Sequence, residues 1–142
     1  MIVLDTNIIS EIMKSQPDER VLSWFHIQEN ESIAISVITI AEIEYGLARL
    51  PSGSRRKHLT RMFNGMIQDK ALIKIYPIDD ETAQLAGQLM AIRENMGRPI
   101  TLQDMLIAAT AHRNGRRLAT RNIKDFEGLD LSLENPFLES FA

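Results

Sequence analysis

The sequence predicts an α/β protein in which a central parallel sheet of four to five short strands lies between two layers of helices. Short apolar runs alternate with longer segments whose apolar residues recur every three to four positions. Gly and Pro number only 7 and 5, and aromatic residues make up 6%, which is too sparse in turns for a β-sandwich. Strands that alternate with helices indicate right-handed crossovers and therefore parallel pairing.

Five short apolar runs are the predicted strands. They are residues 2–4, 33–35, 72–78, 118–120 and 129–133, the last as an edge strand. A parallel strand covered by helices on both faces is apolar throughout instead of alternating with polar residues. The runs therefore predict a buried sheet.

Capping and breaking residues mark where the predicted helices begin. In chain order these residues are Asp5, Pro17, Ser36, Gly53, Asp79 or Asp80, and Thr101. The second helix is expected to end by about Asn30 and the sixth at Gly115. The fourth is the clearest, because from Leu59 its apolar residues fall at i, i+3, i+4, i+7 and i+8. Residues 122–126 predict a turn or short helix.

Composition excludes several classes of protein. A length of 142 residues fits a single domain, 1–142. The net charge of −3 lacks the basic excess of a protein that binds nucleic acid by charge alone. Cys is absent, so any metal must bind oxygen or nitrogen. Residues 1–5 carry no basic leader, and no run reaches the roughly 18 apolar residues of a membrane span. Because the absence of Cys also suits a reducing compartment, we expect a cytoplasmic protein.

Four acids are predicted to meet at one edge of the sheet, because sites in parallel α/β sheets form outside the carboxyl ends of the strands. They are Asp5 after the first strand, Glu42 in the third helix, Asp104 in the sixth, and Asp125 after the fourth strand. Clustered carboxylates raise one another's pKa unless a cation neutralises them. With oxygen ligands only, Mg²⁺ fits best and Mn²⁺ is the alternative.

Each acid also has a purely structural interpretation. Asp5 occupies a standard N-cap position, and Asp104 lies three residues after Thr101, as in a capping box. Glu42 alone is typical of a solvated helix face, and Asp125 of a surface turn. The prediction of a site therefore depends on all four acids lying at the ends of the right elements.

Three groups of residues resemble the PIN-domain family and, within it, the VapC-like and FitB-type toxins of bacterial toxin–antitoxin pairs. They are Leu4-Asp5-Thr6-Asn7; Ser36 to Glu42 with Tyr45-Gly46; and Asp104 to Ala111 with Leu118 to Asn122 and Asp125-Phe126. The resemblance runs from Asp5 to Phe126. It implies a PIN-like three-layer α/β/α fold.

The resemblance also implies roles for individual residues. The metal-binding and catalytic positions that it assigns are Asp5, Glu42 and Asp104, and the supporting positions are Thr6, Thr120 and Asn122. Asn122 stands where some relatives have Asp. Its amide oxygen is an alternative ligand that brings no charge, so we expect Asp125, the nearest carboxylate, to be the fourth acid.

The function implied by the resemblance is Mg²⁺-dependent endonucleolytic cleavage of RNA. It further implies a cognate antitoxin of the VapB or FitA type, whose C-terminal segment covers the acidic cleft and places a basic side chain on the carboxylates. A homodimer is expected, and contact with DNA only through the antitoxin. Cleavage by the neighbouring 2′-OH is not indicated, because His26, His58 and His112 are too scattered to form an acid–base pair.

Two basic groups are candidates for contact with the RNA backbone. One group is Arg55, Arg56, Lys57 and Arg61, and the other is Arg113, Arg116, Arg117 and Arg121. We favour the second group, because Arg121 leaves the same strand end as the acids. Both groups are also typical of ordinary solvated surface.

Two other functions stay open at this point. One is a catalytically silent PIN-like binding or regulatory module, in which the acids only cap helices. The other is a receiver-type phosphoacceptor domain, which needs an Asp after a central strand and a Lys after a later one. The third predicted strand leads to Asp79, but the fourth ends at Thr120-Arg121. Chelator-sensitive RNA cleavage would separate the nuclease from both.

Overall fold

A computed structural model of the chain describes residues 1–28 and 32–138. The elements in this part of the chain are β1 (Ile2–Leu4), α1 (Thr6–Ile12), α2 (Glu19–Gln28), β2 (Ile33–Ser36), α3 (Val37–Ala48), α4 (Ser54–Gln68), β3 (Ile73–Tyr76), α5 (Asp80–Asn95), α6 (Leu102–Arg113), β4 (Arg117–Ala119), α7 (Ile123–Phe126) and β5 (Ser132–Glu134). None of these helices is both long and apolar enough to cross a membrane.

The five strands form one parallel sheet in the order β3-β2-β1-β4-β5. β1 is central, with Ile2 opposite Ile33 and Val3 opposite Leu118. Its three residues are fully buried, as expected of a strand covered on both faces. The predicted parallel α/β class is confirmed.

The two faces of the sheet carry two separate apolar cores. Ile2 and Leu4 point into a core shared with helices α1 to α4, where Trp24 and Phe63 are fully buried. Val3 points the other way, into a core shared with α5, α6 and α7. Because side chains alternate along a strand, three residues of β1 join both helical layers to the sheet. The predicted three-layer arrangement follows.

Element boundaries differ from the predicted ones by a few residues. α2 begins at Glu19 and not at Pro17, because the Asp18 side chain accepts a hydrogen bond from the Arg20 amide at 2.9 Å. The predicted end of this helix near Asn30 lies outside the described residues. β3 spans residues 73–76 and is shorter than the predicted run.

The largest difference concerns β5, which spans residues 132–134 and not 129–133. Gly128 has φ of 83° and Asp130 has φ of 56°, which are left-handed conformations that no strand contains. At that φ any side chain at position 128 would be strained, so Gly is favoured there. The chain turns at these positions and reaches the sheet edge later than its apolar pattern predicts.

Candidate acidic active site

Asp5 is the buried centre of the site, with 4% of its surface exposed. It follows the central strand and caps α1, because its Oδ1 accepts a hydrogen bond from the Thr6 amide at 2.8 Å. Its Oδ2 accepts from Thr120 Oγ1 at 2.8 Å and from Asn7 Nδ2 at 3.2 Å. Asp5 therefore occupies both the capping position and the predicted site position, and the two interpretations do not exclude each other.

Glu42 is half-buried and points to the same place from α3. Its Oε1 accepts a hydrogen bond from Thr6 Oγ1 at 2.8 Å, and Thr6 Oγ1 also lies 3.0 Å from the hydroxyl of Thr39. Thr6 thus contacts Asp5 through its amide and Glu42 through its hydroxyl. The interpretation of Glu42 as a solvated helix residue is wrong, because this tertiary contact holds it.

Asp104 approaches the site from the first turn of α6. Its amide donates to Thr101 Oγ1 at 3.2 Å, so Thr101 caps the helix as predicted. Burial raises the pKa of the Asp104 carboxyl, and repulsion from Glu42 and Asp125 raises it further, against a smaller opposing effect of the Thr101 hydroxyl. Thr101 thus interacts with both the amide and the carboxylate of Asp104, and the Asp104 side chain still lines the cleft.

These acids open onto a cleft of about 370 Å³ at the carboxyl ends of the strands. Its lining is Asp5, Thr6, Asn7, Ser10, Glu11, Lys14, Glu42, Asp104, Arg121 and Asn122. Glu11 is a lining residue that was not predicted; it is 6% exposed and accepts a hydrogen bond from Lys14 Nζ at 2.8 Å. Its spacing of four residues from Asn7, which places both on one face of α1, was the available signal.

The cleft carries an excess of negative charge, because four acids line it against the two cations Lys14 and Arg121. Burial raises the pKa of Asp5 to about 6, against the hydrogen bonds from Thr120 and Thr6, and repulsion from Asp104 and Glu42 adds to the rise. None of the ion pairs among the described residues includes Asp5, Glu42 or Asp104. The site therefore favours anything that brings positive charge.

The two candidates for a fourth ligand differ in position. Asn122 lines the cleft, and its amide donates to Thr120 Oγ1 at 3.0 Å. Asp125 is exposed one turn further on, in α7, yet it is near enough to raise the pKa of Asp104. The structure therefore brings Asn122 into the lining of the cleft, whereas Asp125 lies outside that lining.

Two arginines hold α7, and with it Asp125, in place. Arg93 is 2% exposed and donates from Nη1 to the Glu127 carbonyl at 2.8 Å. Arg98 donates from Nη2 to the Lys124 carbonyl at 2.6 Å. No sequence pattern indicated this role, because both arginines bind backbone carbonyls far along the chain.

Most of the favoured basic group is engaged with acids. Arg113 pairs with Asp79 and Glu81, Arg116 with Asp130, and Arg117 with Glu134, at distances of 2.6 to 3.3 Å. Arg121 differs, because it lines the acidic cleft and its guanidinium lies 4.7 Å from the centre of the Phe137 ring. Of the four arginines, Arg121 is therefore the one that the structure brings to the acids.

The metal ligands that the cleft offers are carboxylate and amide oxygens, and Asp5 has no cationic partner among the described residues. Both features suit a hard divalent cation. Over residues 1–28 and 32–138, no three Asp, Glu or His side chains are already gathered as a complete ligand group. Mg²⁺ is compatible with that arrangement, because it commonly takes one or two protein carboxylates and keeps several waters. The residues present fit a magnesium or manganese ion.

The sheet order argues against a phosphoacceptor domain built on Asp79. β3 is an edge strand, whereas that function needs the acid after a central strand. Asp79 instead caps α5 by accepting from the Thr82 amide at 2.8 Å, and it pairs with Arg113. Its carboxylate is engaged in structure.

Comparison with known proteins agrees with the geometry. The model of the PIN domain matches residues 2–130. VapC ribonuclease Y4jK of Sinorhizobium fredii is 39% identical, over 96% of this chain and 98% of that protein. Toxin FitB of Neisseria gonorrhoeae is 34% identical, over 96% of this chain and 99% of its own. The solved FitAB complex on a DNA fragment contains a chain that is 34% identical, with a TM-score of 0.88 and 99% of both chains covered. This chain belongs to the PIN domain family.

Proposed function

We propose that this chain, acting as one domain over residues 1–142, is the toxin of a type II toxin–antitoxin pair and a metal-dependent endoribonuclease. The observation that carries the proposal is the group of Asp5, Glu42 and Asp104 around one cleft, with the pKa of Asp5 raised to about 6. Relatives with this fold carry the names ribonuclease and toxin, which supports the same assignment.

The protein's part in catalysis is to hold carboxylates rigidly where a metal and a phosphate meet. Thr120, Asn7 and Thr6 fix both oxygens of Asp5, so this side chain needs no reorganisation when it binds a cation. Thr6 sets Glu42 in the same way. The proposed ligands are Asp5, Glu42, Asp104 and Asp125, with Asn122 as the alternative to Asp125.

When bound there, Mg²⁺ or Mn²⁺ neutralises charge on the scissile phosphate and makes water a better nucleophile. No protein nucleophile is then needed. Arg121, at the end of β4, is placed to hold a substrate phosphate beside the carboxylates.

Inhibition by a cognate antitoxin of the VapB or FitA type fits a second feature. A groove of about 630 Å³ shares Thr6 and Glu42 with the acidic cleft and continues along α3 past Gly46 and Leu50. An antitoxin segment with apolar residues in this groove could place a cationic side chain on the carboxylates. Solved relatives are complexes such as FitAB and VapBC, several of them on DNA, so we assign DNA contact to the antitoxin.

We also propose that the toxin is a cytoplasmic homodimer. Ile92, Met96 and Leu102 are large apolar side chains that are 45% to 54% exposed on α5 and at the start of α6, which supports a subunit interface on that side. Sedimentation of the purified chain at several concentrations would measure the dimer.

The test of the function is cleavage of RNA by the purified chain with Mg²⁺, with EDTA, and with Mg²⁺ restored in excess. We expect cleavage only when the metal is present. The products should end in 5′-phosphate and 3′-hydroxyl, because water and not the 2′-OH attacks the phosphorus. Single-stranded DNA of the same sequence serves as the second substrate and separates a ribonuclease from a general nuclease.

Cleavage that persists in EDTA, or cyclic phosphate ends, would exclude metal-assisted hydrolysis. A chain that binds RNA but cuts none under any metal condition would instead be a silent PIN-like module. Glu81→Gln is the matched control for carboxylate variants, because Glu81 is exposed and lies on α5. It should cut RNA as the wild type does.

A further inference from the structure

Positive charge is concentrated in one short part of this acidic protein. Residues 45–68 contain Arg49, Arg55, Arg56, Lys57 and Arg61 and no acidic residue. The remaining residues carry 11 basic and 19 acidic side chains, so the −3 of the whole chain divides into +5 here and −8 elsewhere. Such a division of charge is typical of a surface that binds a polyanion.

These cations lie at the end of α3 and in the first two turns of α4, where they are free of acidic partners. None of the five forms an ion pair among the described residues, and Arg49 lies 5.3 Å from the centre of the Tyr45 ring. Arg55, Lys57 and Arg61 are exposed and Arg56 is half-buried. Arg113, Arg116 and Arg117, in contrast, would have to give up carboxylate partners before they could bind phosphate.

The basic group is continuous with the acidic site. Arg55 and His58 line the groove whose other end contains Thr6 and Glu42. Arg56, Lys57 and Arg61 line a second cavity of about 630 Å³, and Leu47 borders both it and the groove. Glu44 is the one acid in that lining, so the cavity keeps a net positive charge.

The start of α4 borders the same groove as Glu42, because Leu50 and Arg55 both line it. From Glu42 to Leu50 the chain rises about 12 Å along α3 and beyond its last turn, at 1.5 Å per residue. A few nucleotides of a single strand can cross that length. A substrate bound at the carboxylates would therefore bring its flanking phosphates to α4.

We propose that Arg55, Arg56, Lys57 and Arg61, which we name the α4 basic face, bind the backbone phosphates of the RNA on one side of the cleavage point. This inference rests on the proposed ribonuclease function. The α4 basic face, and not Arg113, Arg116 and Arg117, is then the main contact with the RNA backbone. Arg121 keeps its proposed role beside the acids. Free cations make sequence-independent contacts with phosphate, so the α4 basic face supplies affinity and direction, not base specificity.

The test is the salt dependence of RNA binding, measured by fluorescence anisotropy of a labelled single strand in EDTA so that cleavage does not interfere. The variant is Arg56→Ala/Lys57→Ala/Arg61→Ala. At about 0.7 per phosphate contact of a single strand, the slope of log K against log salt should fall by about 2. Binding should then be about 100-fold weaker at 0.1 M salt and nearly equal to the wild type at 1 M.

The control is Lys70→Ala/Lys74→Ala, which removes two cations from exposed positions outside the α4 basic face that likewise form no ion pair among the described residues. It should keep the wild-type slope. Replacement of Arg56 and Arg61 by Lys should also keep it, because the charge is retained. In Mg²⁺ the Ala variant should show a raised KM with an unchanged kcat, since it loses binding and not chemistry.

These measurements distinguish an error in the α4 basic face from an error in the ribonuclease function. If the wild type cuts RNA and the Ala variant keeps the full salt slope, the α4 basic face is overturned and the ribonuclease function stands. The same holds if the variant binds RNA normally but no longer forms a complex with its antitoxin, which would make this a protein-binding surface. If the wild type binds RNA through these residues but never cuts it, the ribonuclease function is overturned and the α4 basic face stands.

Discussion

Asp5 and Asp79 occupy similar places in their local sequence, because each comes after a parallel strand and caps the next helix. The pKa values of the two carboxyls are shifted in opposite directions. Burial, with repulsion from Asp104 and Glu42, raises the pKa of Asp5 to about 6. Hydrogen bonds from Thr82, and then the Arg113 guanidinium, lower the pKa of Asp79 to about 2. The two caps differ only in what the tertiary structure places around them.

The difference distinguishes Asp5, the carboxylate to which we propose a function, from Asp79, which has a structural role. Asp79 has a cation at 2.7 Å and lies in solvent, so its charge is already satisfied. Asp5 accepts three hydrogen bonds, from an amide, a hydroxyl and a carboxamide, but meets only other acids as charges. Stability would improve if that charge were removed, so its presence indicates a role outside folding.

The largest expected effect is on cleavage by Asp5→Asn. This variant keeps the size of the side chain and an acceptor for the Thr6 amide but loses the charge that holds the cation. We expect kcat/KM on RNA to fall about 1,000-fold or more, the equivalent of the several kcal/mol that a bound metal supplies. Asp79→Asn, which changes the matched helix cap, should keep wild-type activity. Equal losses of kcat/KM in the two variants would contradict the functional difference between Asp5 and Asp79.

The next effect is on the pH dependence of stability. Because the pKa of Asp5 is about 6 in the native state against an ordinary 3.8, the native state binds more protons between these values. The free energy of unfolding should therefore fall as pH rises from about 4 to 6, by at most about 3 kcal/mol from this group. The pKa of Asp79 is shifted the other way, so the stability that its ionised carboxylate contributes should be lost as pH falls from about 4 to 2.

Urea unfolding in EDTA at pH 4, 5, 6 and 7 measures this dependence for the wild type and for Asp5→Asn. The difference in stability between them should change across that range in favour of the variant. A constant difference would mean that Asp5 is ionised normally in the folded protein.

A third prediction concerns the fourth ligand. Asp125 brings a charge to the cation and Asn122 does not, so Asp125→Asn should weaken Mg²⁺ binding by about tenfold and Asn122→Ala by less. Titration of each variant with Mg²⁺ by calorimetry decides between them. A greater loss for Asn122→Ala would assign the ligand to the residue that already lines the cleft.

The smallest effect is on thermal stability without metal. Asp104→Asn relieves repulsion from Glu42 and Asp125 and keeps the amide that Thr101 caps. The loss of a negative charge near a helix N-terminus costs roughly 0.3–1 kcal/mol, and we expect the relief to exceed it. Tm in EDTA should rise by a few degrees, and the further rise on adding Mg²⁺ should be smaller than in the wild type. A lower Tm with a normal Mg²⁺ response would make Asp104 purely structural.

Much of this molecule can be predicted from its chain alone, because the governing forces are local. The apolar run of β1 and the caps Ser36 and Thr101 set helix and strand positions within a few residues. Parallel pairing then follows from the alternation of strands and helices, and it brings Asp5, Glu42 and Asp104 to one sheet edge. The acidic site was predictable for that reason.

The pKa values of the carboxyls and the partners of the charged side chains depend on the tertiary structure. The pKa of a carboxyl depends on burial and on charges that arrive from distant parts of the chain, so no local pattern separates Asp5 from Asp79. The same reason reversed the ranking of the basic groups, since Arg113 and Arg116 meet Asp79 and Asp130 only in the folded protein. Periodicity reports which residues are buried, but the partner of a charge is a matter of distance through space, and that is known only when the sheet and its two helical layers are assembled.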